Sequence, residues 1–137
     1  MIRVSSINIP FRYAAGRAGG RFLAALRDEG RIFGTRCPAC ARILCPARSF
    51  CPICGGDTGE WVEVGPGGIL VSWTEIPGRG VYGLVHMDGA DTALLHLLLA
   101  ETSTWSIGAR VSAVLARERR GSILDIQGFR LAEEGSA

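Results

Sequence analysis

The stretch at residues 35–56, TRCPACARILCPARSFCPICGG, holds all five cysteines of the 137-residue chain. Four of them stand in two C-x2-C pairs with ten residues between the pairs: Cys37, Cys40, Cys51 and Cys54. Each pair forms a tight turn that presents two thiolates to one ion, and two such turns complete a tetrahedron around Zn²⁺. The spacing therefore predicts a zinc ribbon, with Cys45 left over between the pairs.

A disulfide framework is the alternative use of these cysteines. The odd number of cysteines and the absence of an export signal argue against it, because structural disulfides belong to oxidising compartments. A site made of four thiolates has no open position for water or substrate, so one structural zinc is predicted rather than a catalytic one. Cys45 is interpreted as a small buried side chain in a strand, since no second thiol remains for a redox role.

Composition and charge place the chain among small globular proteins. Its length fits one domain or two very small ones, and 47% of its residues are hydrophobic. The longest apolar run, residues 93–100, is far shorter than the roughly 20 residues of a membrane-spanning helix. The first residues lack the order of a secretory signal, so a cytoplasmic location is expected.

The segment before the cysteines predicts a short amphipathic helix. In GGRFLAALRDEG the apolar residues Phe22, Leu23 and Leu26 recur at helical spacing, and Gly30 is a candidate stop. The preceding FRYAAGRAGG is glycine-rich and is interpreted as an irregular arm that orders against a partner. Residues 1–30 are accordingly predicted to be an arm with a short helix, and residues 31–60 the ribbon.

After Gly59 the pattern changes to that of strands. The segments WVEV, GILVSWTEI, VYGLVHMD, TALLHLLLAE, ARVSAVLARE and SILDIQGFRLA are separated by turns such as PGRG, DGAD and RERRG. Some 75 residues with short strands and no long helix predict a five-stranded OB-fold barrel over residues 61–137. The predicted fold class is therefore mainly β, with a short N-terminal helix and a rubredoxin-like zinc ribbon.

The segment TALLHLLLA is apolar on both faces. Leu94 and Leu98 flank His96 on one face, and Leu95, Leu97 and Leu99 lie on the other. A strand whose outer side meets water should alternate with polar residues. The outer side is therefore predicted to be covered, either by the chain's own helix or ribbon or by another subunit.

The ordered phrases RFLAALRDEGRIFGTRCPAC, PARSFCPIC and EWVEVGPGGILVSWT resemble the zinc-ribbon/OB-fold accessory proteins of acyl-CoA metabolism. The resemblance extends from about Tyr13 to Arg130, and includes the turn Pro46-Ala47-Arg48 and the stretch at residues 107–111. Members of that family are small partners of thiolases and related condensing enzymes. The resemblance implies a non-catalytic, zinc-binding subunit of a thiolase complex that supports assembly and acyl-CoA binding or transfer.

Contact with CoA calls for cations near its phosphates. The candidates lie beside the ribbon and in two turns: Arg48, Arg79, Arg117, Arg119 and Arg120. An independent enzyme is not favoured, because four cysteines are assigned to zinc and the two histidines, His86 and His96, lie among apolar residues in strand patterns.

Nucleic-acid binding is the alternative function, since zinc ribbons and OB-folds both serve it. Residues 1–60 carry nine arginines and four acids, whereas residues 61–137 carry six arginines and nine acids. A barrel that binds single strands needs a basic groove with exposed aromatic side chains. Because the barrel half is acidic, nucleic-acid binding is favoured less than an accessory role. No interaction with a membrane is expected.

Overall fold

A computed structural model describes residues 1–132 of the chain. Residues 133–137, the end of the predicted barrel domain, lie outside the described residues. In chain order the elements are α1 (Gly16–Glu29), β1 (Ile32–Arg36), β2 (Ile43–Leu44), β3 (Trp61–Val64), β4 (Gly67–Ile76), β5 (Gly80–Met87), β6 (Ala93–Leu98), a 3₁₀ turn (Thr102–Thr104), β7 (Arg110–Leu115), a second 3₁₀ turn (Ile123–Asp125) and β8 (Ile126–Leu131). Within residues 1–132, no helix combines the length and apolarity needed to cross a bilayer.

The amphipathic helix is confirmed, and it is longer than its sequence pattern indicates. It begins at Gly16, inside the glycine-rich segment that was predicted to be irregular, and Gly30 ends it in the left-handed conformation at φ 64°. Its buried side chains are Ala18, Phe22 and Leu26, spaced four residues apart on one face. A helix of this length needs such a docking surface because it is marginal in isolation.

The mainly β class and the closed five-stranded barrel are confirmed. The barrel strands follow the order β4, β5, β6, β8, β7, and β7 pairs with β4 to close the circle. All neighbouring strands are antiparallel except β6 and β8, which meet through the single parallel pair Leu98 and Phe129. Closure removes the open strand edges that a small sheet would expose.

Two strand assignments from the sequence are wrong in detail. Trp61–Val64 was placed in the barrel, but this strand pairs with β1 in a three-stranded sheet ordered β2, β1, β3. The barrel therefore begins at Gly67. The segment SILD was read as strand, yet residues 123–125 form a 3₁₀ turn because the Ser122 hydroxyl accepts the Leu124 N–H as a helix cap.

One apolar core joins the helix, the ribbon and the barrel. It brings together Phe22 and Leu26 of α1, Ile43 from the ribbon sheet, and barrel residues such as Val85 and Phe129. A second, smaller cluster within the ribbon contains Cys37, Leu44 and Cys51. The helix and ribbon are therefore packed on the barrel rather than tethered to it.

Asp125 organises the loop between β7 and β8. Its side chain is 3% exposed and accepts hydrogen bonds from the backbone N–H groups of Arg120 at 2.8 Å, Gly121 at 2.7 Å and Ser122 at 3.3 Å. Burial raises the pKa of Asp125, but the three N–H donors and the positive charge of Arg119 together lower it by more, so the net pKa lies below its ordinary value. The ionised carboxylate therefore stabilises the folded loop.

We expect Asp125→Ala to destabilise the protein by about 2–4 kcal/mol at pH 7, because three partly buried N–H groups lose a charged acceptor. A depressed folded pKa means that the carboxylate contributes fully above about pH 5 and that its contribution is lost as pH falls through the folded pKa. Urea unfolding of both proteins at a series of pH values should show the stability gap closing between about pH 5 and pH 2. A gap that stays constant over this range would contradict the assignment.

Candidate metal centre

Two equivalent turns present the four paired cysteines. In the first, the Cys37 N–H donates to the Arg42 carbonyl and the Ala41 N–H donates to the Cys37 carbonyl, both at 2.8 Å. In the second, the same two bonds join Cys51 to Gly56 and Gly55, at 2.9 and 2.7 Å. The same hydrogen-bond pattern thus occurs in both cysteine turns, or knuckles, as expected of two turns that bind one ion.

Ala41 and Gly55 occupy the same position in the two knuckles and share a left-handed backbone. Their φ angles are 62° and 75°. Glycine adopts this conformation without steric cost, whereas alanine does so at a cost of roughly 1 kcal/mol. The sequence pattern would not reveal the equivalence, since alanine is not a usual signal for this conformation.

The sulfur positions fit a tetrahedral zinc ion. Ligand atoms of Cys37, Cys40, Cys51 and Cys54 all lie within 4.8 Å of one another. Four sulfurs at about 2.3 Å from one ion stand about 3.8 Å apart, and the Cys40 and Cys51 Sγ atoms are 3.7 Å apart. The backbone N–H of Cys54 lowers the pKa of the Cys51 thiol to about 7, whereas the neighbouring Cys40 thiol raises the pKa of Cys54 to about 12, so the four sulfurs share protons until a metal replaces them.

Cys45 lies apart from this cluster and is 2% exposed. Burial raises the pKa of its thiol to about 12, so it stays protonated at neutral pH. Cys45 follows directly after β2 instead of lying within it. Its backbone N–H donates to the Thr92 hydroxyl at 2.9 Å, and that hydroxyl donates back to the Cys45 carbonyl at 2.8 Å.

Thr92 and its neighbour Asp91 hold the ribbon on the barrel. The Ile43 N–H donates to the Asp91 carboxylate at 2.8 Å, and the Asp91 N–H donates to the Ile43 carbonyl at 2.8 Å. These bonds connect the β2 segment to the turn between β5 and β6. Neither Asp91 nor Thr92 was predicted to have this role, although Asp91 lies in the turn DGAD and Thr92 follows it, and short polar side chains in turns often bond to backbone groups.

These findings agree with comparison to known proteins. Residues 24–60 match the profile of the ChsH2 rubredoxin-like zinc ribbon domain. This segment is therefore similar to a ChsH2-type zinc ribbon. It spans the end of α1, all four cysteines of the cluster and the residues that lead into β3. The predicted ribbon and its single structural zinc are thereby confirmed.

Solved structures share the fold beyond the ChsH2-type ribbon. A chain described as the Ltp2-ChsH2(DUF35) aldolase is 23% identical, with a TM-score of 0.62, over 88% of this chain and 98% of its own. A DUF35-family protein of unknown function from Sulfolobus solfataricus is 20% identical, with a TM-score of 0.61, over 85% of this chain and 87% of its own. No curated protein matches significantly. The likeness confirms the zinc-ribbon and barrel fold expected from the family resemblance.

The five arginines predicted to contact CoA occupy different surroundings. Arg48 is exposed beside the ribbon, and its carbonyl accepts the hydroxyls of Thr35 and Thr58. Arg79 lies in the turn between β4 and β5 and lines a cleft with Glu75 and Glu101. The remaining three share the loop after β7: Arg117, Arg119 and Arg120. Arg119 donates through Nε to the Arg27 carbonyl at 3.0 Å, which ties the end of α1 to this loop.

The two histidines make hydrogen bonds with the backbone. His96 is buried, its Nδ1 accepts the Leu97 N–H at 2.8 Å, and its Nε2 donates to the Ile123 carbonyl at 3.2 Å. The exposed His86 bonds through Nε2 to the Ala90 carbonyl. His96 therefore has partners at both ring nitrogens, and His86 has one at Nε2.

Proposed function

We propose that this chain is a non-catalytic accessory subunit of a thiolase-type or aldolase-type enzyme, and that it supports assembly and acyl-CoA binding or transfer. The observation that carries the proposal is an apolar surface on the outside of the barrel. We call it the outer leucine face, and it consists of Leu84, Leu95, Leu97 and Leu99 on and just after β5 and β6. Exposed apolar surfaces of this kind usually mark an interface, so we infer that a partner subunit covers this face.

The chain's own helix and ribbon leave this face open. Leu95 is 62% exposed, while Leu84, directly opposite it on β5, is 38% exposed. Leu94 and Leu98 point into the core, so the leucines on the other face of the strand are not needed for the barrel's own packing. The alternative that the chain covers this strand itself is therefore wrong for the described residues 1–132.

The N-terminal arm offers a second apolar surface. Residues 1–13 form no helix or strand, and apolar side chains alternate along Ile7, Ile9, Phe11 and Tyr13, each 71–81% exposed. Alternation of this kind is typical of a segment that lies extended against a surface, with one face buried. An arm that pairs with a partner would remove these side chains from water.

The similarity to the Ltp2-ChsH2(DUF35) aldolase supports an enzyme as the partner. The thiolase class comes from the family resemblance in the sequence. Acyl-CoA contact by Arg48, Arg79, Arg117, Arg119 and Arg120 is part of the same proposal, with Arg119 the least available because it binds the helix end. The cytoplasmic location also stays a prediction.

The positions of the aromatic side chains argue against nucleic-acid binding. Trp105 is 5% exposed and Phe129 is fully buried, so neither offers a stacking face. Among the other aromatic candidates in the described part of the chain, Trp61, Trp73 and Tyr82 are all partly buried. The accessory role is therefore the better match to the surface.

The test is to produce a candidate partner, a thiolase-type or aldolase-type enzyme encoded in a neighbouring gene, with and without this chain. We expect the two to co-purify, and the enzyme to reach full activity on its acyl-CoA only in the complex. An interface of this kind should bury at least about 1,000 Å². A neighbouring enzyme that is equally active and equally soluble without the chain would contradict the proposal.

We expect Leu95→Asp to weaken the complex by at least about 30-fold, because a charge would be buried at the centre of an apolar contact. Zinc content and thermal stability should not change, since Leu95 faces solvent in the isolated chain. Leu124→Asp is the matched control, because Leu124 is a 73% exposed leucine on the 3₁₀ turn before β8 and does not belong to the outer leucine face. Equal binding by both variants in calorimetry would exclude the outer leucine face as the interface.

A further inference from the structure

A cleft of about 460 Å³ separates the first turns of α1 from the ribbon. Arg17 and Arg21 of the helix line one side, Ser49 and Thr58 line the other, and Trp61 of β3 also borders it. We call it the helix–ribbon cleft. Cavities of a few hundred cubic ångströms are the usual size of small-molecule sites. Neither the zinc site nor the outer leucine face shares these residues.

The cleft carries surplus positive charge. Arg17 and Arg21 are exposed, stand four residues apart on one helix face, and form no ion pair with any carboxylate of residues 1–132. By contrast, Arg31 and Arg36 on the nearby β1 side are paired with Glu63 and Glu60. Asp57 is the acidic residue among those lining the cleft, so two guanidinium groups face one carboxylate.

Trp61 orients one of these guanidinium groups. The Arg21 guanidinium lies over the Trp61 ring, with its central carbon 4.4 Å from the ring centroid. Trp61 is itself held edge-on by Phe33, with the ring centroids 6.3 Å apart. A guanidinium held over an aromatic ring by a cation–π contact still has N–H groups that can donate to an anion. Trp61 is therefore a positioning residue for Arg21.

The opposite wall adds a hydroxyl without a partner. Thr35 and Thr58 both donate their hydroxyls to the Arg48 carbonyl, at 2.8 and 2.5 Å, so they hold the wall in place. The Ser49 side chain makes no hydrogen bond with the described residues, and it can donate into the cleft. Two arginines and a hydroxyl that face one cavity are the donor set that phosphate oxygens prefer.

We propose that the helix–ribbon cleft binds a small organic phosphate of nucleotide size, whose phosphate oxygens accept hydrogen bonds from Arg17 and Arg21. An inorganic phosphate would fill only a small part of about 460 Å³, so the ligand carries an organic group that occupies the rest. If the ligand is CoA or one of its esters, the site deepens the proposed acyl-CoA role and rests on it; if the ligand is a free nucleotide, the site is a separate function. Binding is measured on this chain alone, so the accessory role can fail while the cleft still binds its ligand.

The experiment is isothermal titration calorimetry of the zinc-loaded full chain at about 50 mM salt, where screening is modest. The probes are inorganic phosphate, ribose 5-phosphate, ADP and CoA. We expect saturable binding of ADP or CoA, weaker binding of ribose 5-phosphate and the weakest of inorganic phosphate. If CoA binds more tightly than ADP, the site is assigned to CoA and its esters. If ADP binds more tightly than CoA, the site is assigned to a free nucleotide. Either result supports the proposal.

The double variant Arg17→Gln/Arg21→Gln should lower the affinity for the most tightly bound probe at least about tenfold. Arg42→Gln is the matched control, since Arg42 is exposed, forms no ion pair with residues 1–132 and does not line the cleft, and it should change the affinity less than twofold. Trp61→Leu should weaken binding, while Trp61→Phe should restore most of it because the aromatic face returns. Zinc content identifies any variant whose ribbon has unfolded.

Three results would overturn the proposal. The first is the absence of saturable binding for all four probes. The second is an affinity that survives the double arginine substitution. The third is a single-stranded oligonucleotide that binds far more tightly than ADP through the same arginines, which would make the cleft part of a nucleic-acid surface instead.

Discussion

Cys37→Ser is expected to abolish zinc binding and to unfold the ribbon. A serine hydroxyl does not ionise near neutral pH, so the tetrahedral site loses a quarter of its ligands and most of its affinity. Binding and folding are coupled at structural zinc sites, where the metal contributes about 10–16 kcal/mol of apparent free energy. Elemental analysis should find one zinc per chain in the original protein and nearly none in the purified variant.

The effect should spread beyond the ribbon. Ile43, Cys45 and Ala47 belong to the same core as the barrel, and Asp91 and Thr92 bond to the segment that carries Ile43 and Cys45. Loss of the metal should therefore lower the melting temperature of the whole protein, as read by circular dichroism.

Cys45→Ala is the matched control, because it removes a thiol that is buried outside the cluster. We expect one full equivalent of zinc to remain bound, with a modest loss of stability from the small cavity. Equal loss of zinc from Cys45→Ala and Cys37→Ser would show that the ligand set is wrong.

Phe129→Ala is expected to destabilise the protein by about 3–5 kcal/mol, the range for removing a fully buried aromatic ring. Phe129 is completely buried, its ring meets His96 edge-on at 5.9 Å, and its backbone pairs with both Leu98 and Ala113. It stands where β6 meets β8, which is the only parallel pairing among the described barrel strands. A cavity here should loosen the closure of the barrel.

Chemical denaturation with zinc in excess measures this change, because the metal then stays bound in both proteins. Leu131→Ala on the same strand is the control, since Leu131 is 40% exposed and should cost less than about 1 kcal/mol. Similar losses for the two variants would mean that β8 does not present Phe129 to the core.

The metal site could be predicted from sequence because its information is local. The two C-x2-C pairs form turns whose geometry depends on a few consecutive residues, and the structure repeats one hydrogen-bond pattern in both. The helix centre and its stop at Gly30 were also local signals. The start of the helix could not be predicted from local signals, because Gly16, Gly19 and Gly20 have low helix propensity. The packing of Ala18 and Phe22 holds this part of the chain in the helix.

The partners of individual strands needed the tertiary structure. Trp61–Val64 carries the same strand pattern whether it pairs with the barrel or with β1, because propensity and alternation do not record the neighbour. The Asp91 and Thr92 bonds to the ribbon join residues 47 or 48 positions apart, and no short motif encodes such a distance. The helix–ribbon cleft likewise depends on how α1, β3 and the second knuckle pack together.

By itself, the sequence determined the two C-x2-C pairs from which the zinc site is predicted, the order of helix, ribbon and barrel, and the two apolar faces of the segment at residues 93–100, because each follows from spacing along a few neighbouring residues. Only the tertiary structure decided that the outer leucine face stays uncovered and that Arg17, Arg21 and Trp61 border one cleft. Exposure and proximity of distant residues are set by long-range packing, in which one buried core selects among arrangements that local patterns allow equally.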